Sequence, residues 1–189
     1  MRMQTILSLC DRTGNWSRPY EEAGYPVIRV DLQGDAPRDV RLMERIDEPI
    51  HGILAAPPCD HFAASGARWW EGKGNQAVLE GLSVVDACLR AVAIYRPLWW
   101  ALENPVGRLR RFLGEPKFSF QPCDFGDPYT KKTLLWGNFT PPVPLVSATA
   151  RNAVEPTSGS KMHRMSSAWK NQRSETPTGF ARAFFESNP

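Results

Sequence analysis

Short apolar runs alternate with polar segments rich in glycine and proline along the first two thirds of the chain. Apolar runs of this length, bounded by residues that interrupt regular structure, are typical of strands buried in a parallel sheet. The pattern predicts strands over residues 4–9, 26–31, 53–56, 97–102, 118–122 and 133–136. The first two enclose about the length that a right-handed strand–helix–strand crossover needs.

Apolar residues at helical spacing predict the connecting helices, and the clearest covers residues 76–95. Further helices are predicted over residues 16–23, 106–113 and 178–186, with a short one near 40–45 and Thr176 as the N-cap of the last. The glycine-containing loop 60–76 carries Trp69 and Trp70. Two interpretations of these tryptophans are open: a lid that stacks on a base, or a cap on the core.

The composition narrows the class of protein. With 189 residues, 42% of them hydrophobic and 23% charged, the chain suits one soluble domain with its own core. No apolar run approaches the roughly twenty residues that span a bilayer. The start of the chain runs straight into a strand pattern, so we expect a cytoplasmic protein without a membrane partner.

The four cysteines are far apart, which argues against a disulfide framework and a metal site. The net charge of +3 permits a nucleic-acid partner without requiring one.

Residues able to do chemistry stand where the predicted strands end. Pro57 and Pro58 stop the third strand and should hold Cys59 on a stiff turn, at the edge where open α/β sheets bind ligands. A thiol there can act as a nucleophile, although a cysteine after a strand is more often a small buried apolar residue. Glu103 ends the fourth strand. Asp31 ends the second strand. A carboxylate at this position could bind a nucleoside ribose, lie solvated in a loop or act as a helix N-cap.

In chain order, these strand ends resemble the motifs of the cytosine carbon-5 DNA methyltransferases. The segment Ala56-Pro-Pro-Cys59 is similar to the catalytic Pro-Cys motif of that family, and Glu103-Asn104-Pro105 is similar to its Glu-Asn motif. Residues 7–16 resemble the glycine-rich loop that holds S-adenosylmethionine. Asp31 matches the ribose acid, and residues 38–40 are similar to the segment that reads the adenine. The two catalytic motifs, each closing a strand, make a strong signal together.

The resemblance implies a fold and a domain organisation. The fold would be α/β, the Rossmann-like fold of class I S-adenosylmethionine-dependent methyltransferases, in which a mostly parallel sheet carries helices on both faces. Residues 1–189 would form a single catalytic domain, with a helix over 176–186 packed near the cofactor loop. Residues 145–175 are polar and basic, and we expect a mobile or irregular segment there, or a plain solvated linker.

The resemblance also implies a reaction. A Cys59 thiolate would add to carbon 6 of cytosine, and Glu103 would share a proton with ring nitrogen 3. Carbon 5 would then take the methyl group of S-adenosylmethionine and leave S-adenosylhomocysteine. Because a base inside duplex DNA cannot reach a thiol, it would have to be flipped out. The residues implied for the substrate are Pro58, Asn104, Lys131 and Lys132. Those implied for the cofactor are Ser8, Cys10, Asp11, Thr13, Gly14, Trp16, Asp31, Leu32, Asp39, Val40 and Pro57.

The chain departs from the family at several positions. Ser8 stands where the family usually has an acid, Cys10 where it has phenylalanine and Arg12 where it has glycine, so we expect the methionine end of the cofactor to be held differently. Residues 136–176 leave no room for the sizeable domain that reads DNA sequence in this family. Recognition of DNA would then need a partner subunit or an oligomer, unless the substrate is a free cytidine nucleotide such as dCMP.

Two further alternatives keep the fold and change the activity. An amino-group methyltransferase uses a Pro-Pro motif to hold the exocyclic nitrogen and needs no thiol, although Glu103 and Asn104 weigh against it. A non-catalytic nucleic-acid-binding protein could retain the fold after its cofactor loop decayed, as Ser8 and Arg12 suggest.

Overall fold

The computed structural model describes residues 4–33, 36–145 and 174–189. Within them one sheet contains the strands β1 (Thr5–Leu9), β2 (Val27–Val30), β3 (Ile50–Ala55), β4 (Trp99–Pro105), β5 (Phe118–Phe120) and β6 (Thr133–Asn138). Their order is β2-β1-β3-β4-β6-β5, and all run in one direction except β6, which is antiparallel to both neighbours. The predicted Rossmann-like, mostly parallel sheet is confirmed.

The described helices are α1 (Arg18–Glu22), α2 (Trp70–Tyr95), α3 (Arg110–Leu113) and α4 (Thr178–Ser187), with 3-10 turns at Val40–Leu42, Ala64–Trp69 and Pro122–Phe125. None of these helices is both long and apolar enough to cross a membrane.

Two apolar cores lie on opposite faces of the sheet, because successive residues of a strand point to opposite sides. Leu7 and Ile53 belong to the core that also contains Val85 of α2. Their neighbours Ile6 and Leu54 belong to the other core, together with side chains of α1 and α4. The prediction of helices on both faces is confirmed.

The start of α2 differs from the sequence prediction. It begins at Trp70 rather than near residue 76, and Gly74 lies inside it at φ 65°, where two helical stretches meet at a kink. Glycine reaches positive φ without the steric cost that other residues have, so the chain bends there without ending the helical segment. The sequence prediction had assigned this stretch to a loop.

Several other predicted boundaries were wrong. The predicted helix 16–23 is reduced to α1, and the predicted helix 106–113 to the single turn α3. The short helix predicted near 40–45 is a 3-10 turn capped by Asp39, whose side chain accepts from the Arg41 amide. Strand β4 continues to Pro105, so Glu103 and Asn104 lie inside it and pair with β6.

Helix α4 closes the face opposite α2. Its Phe180 and Phe184 lie 6.0 and 5.6 Å, between ring centroids, from the buried Trp16, which follows the loop after β1. Thr176 is not its N-cap. The position belongs to Pro177, and Asp127 accepts a hydrogen bond of 3.1 Å from the Gly179 amide instead. Of the polar segment predicted over residues 145–175, residues 146–173 lie outside the described residues.

Candidate active site

A cavity of about 250 Å³ opens at the carboxyl ends of β1, β2, β3 and β4, and four side chains predicted for catalysis or substrate binding line it. These are Cys59, Glu103, Pro58 and Lys131. Parallel strands end at the same edge of a sheet, which is why residues far apart in sequence meet there. The thiol and the carboxyl therefore face one cavity.

Most of the residues predicted for the cofactor line the same cavity. From the loop after β1 they are Cys10, Asp11 and Thr13; from the rest of the chain they are Asp31, Leu32, Asp39, Val40 and Pro57. Five predicted residues are not on its wall: Ser8, Gly14, Trp16, Asn104 and Lys132. The contacts of Ser8, Gly14, Trp16 and Asn104 are structural and are described below, while Lys132 is exposed.

The loop after β1 is organised around the buried carboxylate of Asp11. It accepts hydrogen bonds from the Ser8 hydroxyl at 3.0 Å and from the amide and hydroxyl of Ser17 at 3.1 Å each. Cys10 precedes it at φ 58°, a left-handed conformation that is costly for a residue with a Cβ. Because a bonded carboxylate holds the loop over β1, Ser8 supports the loop from beneath rather than facing the cavity.

Gly14 and Trp16 complete this loop without reaching the cavity. Gly14 has φ 67°, and a Cβ there would overlap the guanidinium of Arg29, so the position requires glycine on two grounds. Trp16 is fully buried against α4. We infer that these two residues set the shape of the loop.

The turn that presents Cys59 is held through its backbone. The Cys59 carbonyl accepts from the amides of Phe62 and Ala63, both at 2.9 Å. On the other side of the turn, the carbonyl of Pro57 accepts a hydrogen bond of 2.9 Å from the Asn104 amide nitrogen. Asn104 is fully buried, so its contact orients the Pro57–Cys59 turn.

The segments that follow Cys59 and Glu103 are joined to each other. The Ala64 amide donates to the carbonyl of Val106, and the Arg108 amide donates to the carbonyl of Phe62, both at 2.8 Å. A Cβ on Gly107 would overlap the Phe62 carbonyl oxygen, so only glycine allows this approach. The sequence prediction missed this contact. Its only signal was a glycine two residues after Glu103-Asn104-Pro105.

Charge and burial define the chemistry of Cys59 and Glu103. Glu103 is 6% exposed and its Oε1 lies 3.9 Å from Nζ of Lys131. Burial raises the pKa of Glu103, which the Lys131 ammonium partly offsets. Burial also raises the pKa of the Cys59 thiol. Lys131 lowers it, and the Glu103 carboxylate raises it. The carboxyl is thus biased toward its protonated form, and Lys131 is the cation that favours a thiolate.

The acid at the end of β2 has the arrangement expected of a group that accepts hydrogen bonds from the hydroxyls of a ligand. Asp31 is about half buried, and its Oδ1 accepts from the Gln33 amide at 2.7 Å. Burial raises the pKa of its carboxyl, while Arg12 lowers it. Asp39 is engaged differently, since its carboxylate bonds the Arg41 guanidinium and the pKa of Asp39 is lowered by that contact. Asp31 is therefore better placed than Asp39 to bind a ligand.

The sequence prediction missed several other residues of the wall. Arg12, Val84, Glu175 and Thr176 also line the cavity. Arg12 lies within residues 7–16, which resemble the cofactor loop, so the sequence could have indicated it as a residue of the cavity wall. Thr176 had been assigned to a helix cap, and its place on the wall depends on how α4 packs.

The two adjacent tryptophans lie off the cavity wall. Trp69 is 58% exposed, and the Arg68 guanidinium lies 4.9 Å from its ring centroid. Trp70 is partly buried, with the Arg108 guanidinium at 4.8 Å. Trp69 does not cap a core, and its function as a lid stays a prediction.

Cys10 and Cys88 are the one pair of thiols that the fold brings together among the described residues. Cys88 is buried in the core beneath the cavity, and the contact with the Cys10 thiol and burial both raise the pKa of Cys88. All four cysteines are free.

Comparison with known proteins gives a fold likeness. No protein-family model and no curated protein matches the sequence. Solved structures do resemble it. One is a candidate DNA modification methyltransferase encoded within an E. coli prophage, with a TM-score of 0.48 and 19% sequence identity over 71% of this chain and 46% of that one. The chain thus spans less than half of that protein's length. A likeness of this degree does not determine a reaction, which has to follow from the residues of the cavity.

Proposed function

We propose that this protein transfers a methyl group from S-adenosylmethionine to carbon 5 of cytosine in DNA through a covalent adduct with Cys59. The observation that supports this most strongly is that the Cys59 thiol, the buried Glu103 carboxyl and Lys131 line one cavity. A nucleophile, an acid with a raised pKa and a cation are the groups that addition to a pyrimidine ring requires.

The cavity fits the proposed cofactor by the chemistry of its wall. Asp31 would accept hydrogen bonds from both ribose hydroxyls. Leu32, Val40 and Pro57 offer apolar contacts for the adenine, and the loop from Cys10 to Thr13 would hold the methionine part. When bound, S-adenosylmethionine supplies an electrophilic methyl group and becomes S-adenosylhomocysteine.

The residues of the chain would prepare carbon 5 for that methyl group. Carbon 5 of cytosine is a weak nucleophile, and addition of the Cys59 sulfur to carbon 6 converts the ring into an enamine. The Cys59 thiol first loses its proton to solvent, and the thiolate, stabilised by Lys131, then forms the bond to carbon 6. Glu103, whose pKa is raised by burial, would in its protonated form donate to ring nitrogen 3 and stabilise the negative charge that addition creates. Loss of the carbon-5 proton to water then breaks the bond between carbon 6 and sulfur, releases Cys59 as the thiolate and returns the proton on ring nitrogen 3 to Glu103.

DNA is the proposed substrate class, with the target base out of the helical stack. The thiol lies on a cavity wall at the sheet edge, where a base inside a duplex cannot reach it. How the chain recognises a DNA site stays a prediction, with a partner subunit or an oligomer as the expected source.

The experiment is covalent capture with 5-fluorocytosine. Fluorine at carbon 5 cannot leave as a proton does, so the adduct with Cys59 stalls. We expect a protein–DNA adduct stable to denaturation, dependent on S-adenosylmethionine, with duplex or single-stranded DNA containing the base. Cys59→Ser should abolish capture, and Cys123→Ala, which changes a buried cysteine that does not line the cavity, should retain it. Preferential capture of 5-fluoro-dCMP would favour the free nucleotide. Methylation of DNA without capture would contradict the thiol route and favour amino-group transfer.

A further inference from the structure

One charged side chain on the cavity wall has no function in the reaction above. Arg12 lies in the loop after β1 and lines the cavity together with Cys59 and Asp31. Among the described residues, no hydrogen bond or ion pair holds its guanidinium. The other basic residues of the wall are engaged: Arg38 donates to the Arg29 carbonyl at 2.7 Å, and Lys131 faces Glu103 at 3.9 Å. Arg12 is thus the cation of the wall that is available to a ligand.

The loop geometry explains why Arg12 faces the cavity. Asp11 turns its carboxylate inward, where Ser8 and Ser17 bind it, and the left-handed turn at Cys10 precedes it. The following residue remains exposed at the cavity mouth. A glycine there would leave that part of the wall without a charge, so Arg12 changes what the loop can bind.

We propose that Arg12 binds the carboxylate of the methionine part of S-adenosylmethionine, an assignment that rests on the proposed use of this cofactor. The α-carboxylate is the one anionic group of that molecule. The wall also carries six acids, which would repel a carboxylate: Asp11, Asp31, Asp39, Asp60, Glu103 and Glu175. Those that are not engaged elsewhere suit the ribose hydroxyls, the ammonium and the sulfonium instead. A guanidinium binds a carboxylate through two parallel hydrogen bonds, which gives orientation as well as affinity.

The competing assignment is that Arg12 stabilises the charged carboxylate of Asp31. The Arg12 charge already lowers the pKa of Asp31, so the two side chains are near enough to interact. If that were its function, Arg12 would affect every ligand whose ribose Asp31 binds. Binding of the carboxylate predicts an effect only on ligands that carry one.

Calorimetry with two ligands separates these assignments without any methyl transfer. S-Adenosylhomocysteine carries the amino acid, whereas 5′-methylthioadenosine has the same adenosine and sulfur without it. We expect Arg12→Ala to weaken binding of S-adenosylhomocysteine roughly tenfold or more, the loss typical of a charged hydrogen-bonding partner. Affinity for 5′-methylthioadenosine should be unchanged. Arg12→Lys should recover part of the loss, because an ammonium keeps the charge and lacks the planar pair of donors.

The matched control is Arg18→Ala, which removes an exposed positive charge six residues away and outside the cavity. It should leave both affinities unchanged. Equal weakening of both ligands by Arg12→Ala, or no weakening of either, would overturn the assignment. Failure of the unaltered protein to bind S-adenosylhomocysteine would overturn the cofactor and this inference together. Normal ligand discrimination without capture of 5-fluorocytosine would support Arg12 as the carboxylate ligand and overturn only the proposed reaction.

Discussion

Two parts of the cavity wall are held by different kinds of contact. The turn that carries Cys59 is joined to the segment after β4 through the backbone, by the amide of Ala64 on Val106 and the amide of Arg108 on Phe62. These bonds join backbone groups, and the Asn104 side chain adds a hydrogen bond to the Pro57 carbonyl. The position of the thiol should therefore tolerate nearby substitutions that leave Asn104 and Gly107 in place.

The loop after β1 is held mainly through buried side chains instead. The carboxylate of Asp11 accepts three hydrogen bonds, two of them from the hydroxyl and amide of Ser17. A loop held this way is sensitive to substitution of Asp11, Gly14 or Trp16, whereas its exposed position at Arg12 is free to change. This difference explains how the loop can depart from the methyltransferase pattern that it resembles while the Pro-Pro-Cys turn keeps it.

Gly107→Ala is the change expected to have the largest effect. Its new Cβ would overlap the Phe62 carbonyl oxygen, so the two segments must move apart and the hydrogen bonds between them are lost. We expect a loss of about 2–3 kcal/mol in the free energy of unfolding, typical of overpacking, measured by urea denaturation. Capture of 5-fluorocytosine should fall as well, because the thiol turn is displaced.

Gly66→Ala is the control for this substitution. Gly66 lies on the same segment, and a Cβ there meets open space. It should change neither the free energy of unfolding nor capture by more than the small effect of replacing an exposed glycine. Equal effects of the two substitutions would contradict the backbone contact as the element that positions Cys59.

Asp11→Ala tests the other part of the wall. It leaves the Ser8 hydroxyl and the Ser17 amide buried without an acceptor, which costs about 1–3 kcal/mol. The effect on ligand binding should exceed the effect on the thiol turn, so S-adenosylhomocysteine should bind much more weakly in calorimetry. Ser8→Ala removes only one of the three bonds and should cause a smaller loss of both. If Asp11→Ala kept full affinity for the ligand, the carboxylate would not be what shapes the loop.

The sequence predicted the parts of the site that depend on prolines and on the ends of apolar runs. Two prolines place Cys59 just after β3, and the end of an apolar run marks the region of Glu103, although β4 itself continues to Pro105. The hydrogen bonds to Asp11 could not be predicted, since nothing in the amino-acid sequence shows that Ser17 folds back onto it. The contact of Gly107 with Phe62 joins residues 45 positions apart and depends on the order of the strands. The antiparallel β6 between β4 and β5 is likewise a property of the sheet, and it is what brings Lys131 to Glu103.

Lys131→Met tests the electrostatic link between Cys59 and its surroundings, and its expected effect is the smallest. The Lys131 ammonium lowers the pKa of the Cys59 thiol, against the larger effect of burial. Removing it should raise the pKa of Cys59 further, so a smaller fraction is thiolate at any pH below that value. Alkylation of Cys59 by iodoacetamide should then be roughly twofold to tenfold slower at a fixed pH, with its midpoint moved upward. Subtracting the rate of Cys59→Ser removes the contribution of Cys10, which is also partly exposed.

The control for Lys131 is its neighbour. Lys132 is exposed and off the cavity wall, so Lys132→Met should leave the alkylation midpoint of Cys59 where it is. Glu103→Gln should move the midpoint in the opposite direction from Lys131→Met, because the Glu103 carboxylate raises the pKa of the thiol. Opposite shifts from Lys131 and Glu103, with none from Lys132, require both charges to act on one thiol across one cavity. A general loss of charge or stability would move all three variants in the same direction.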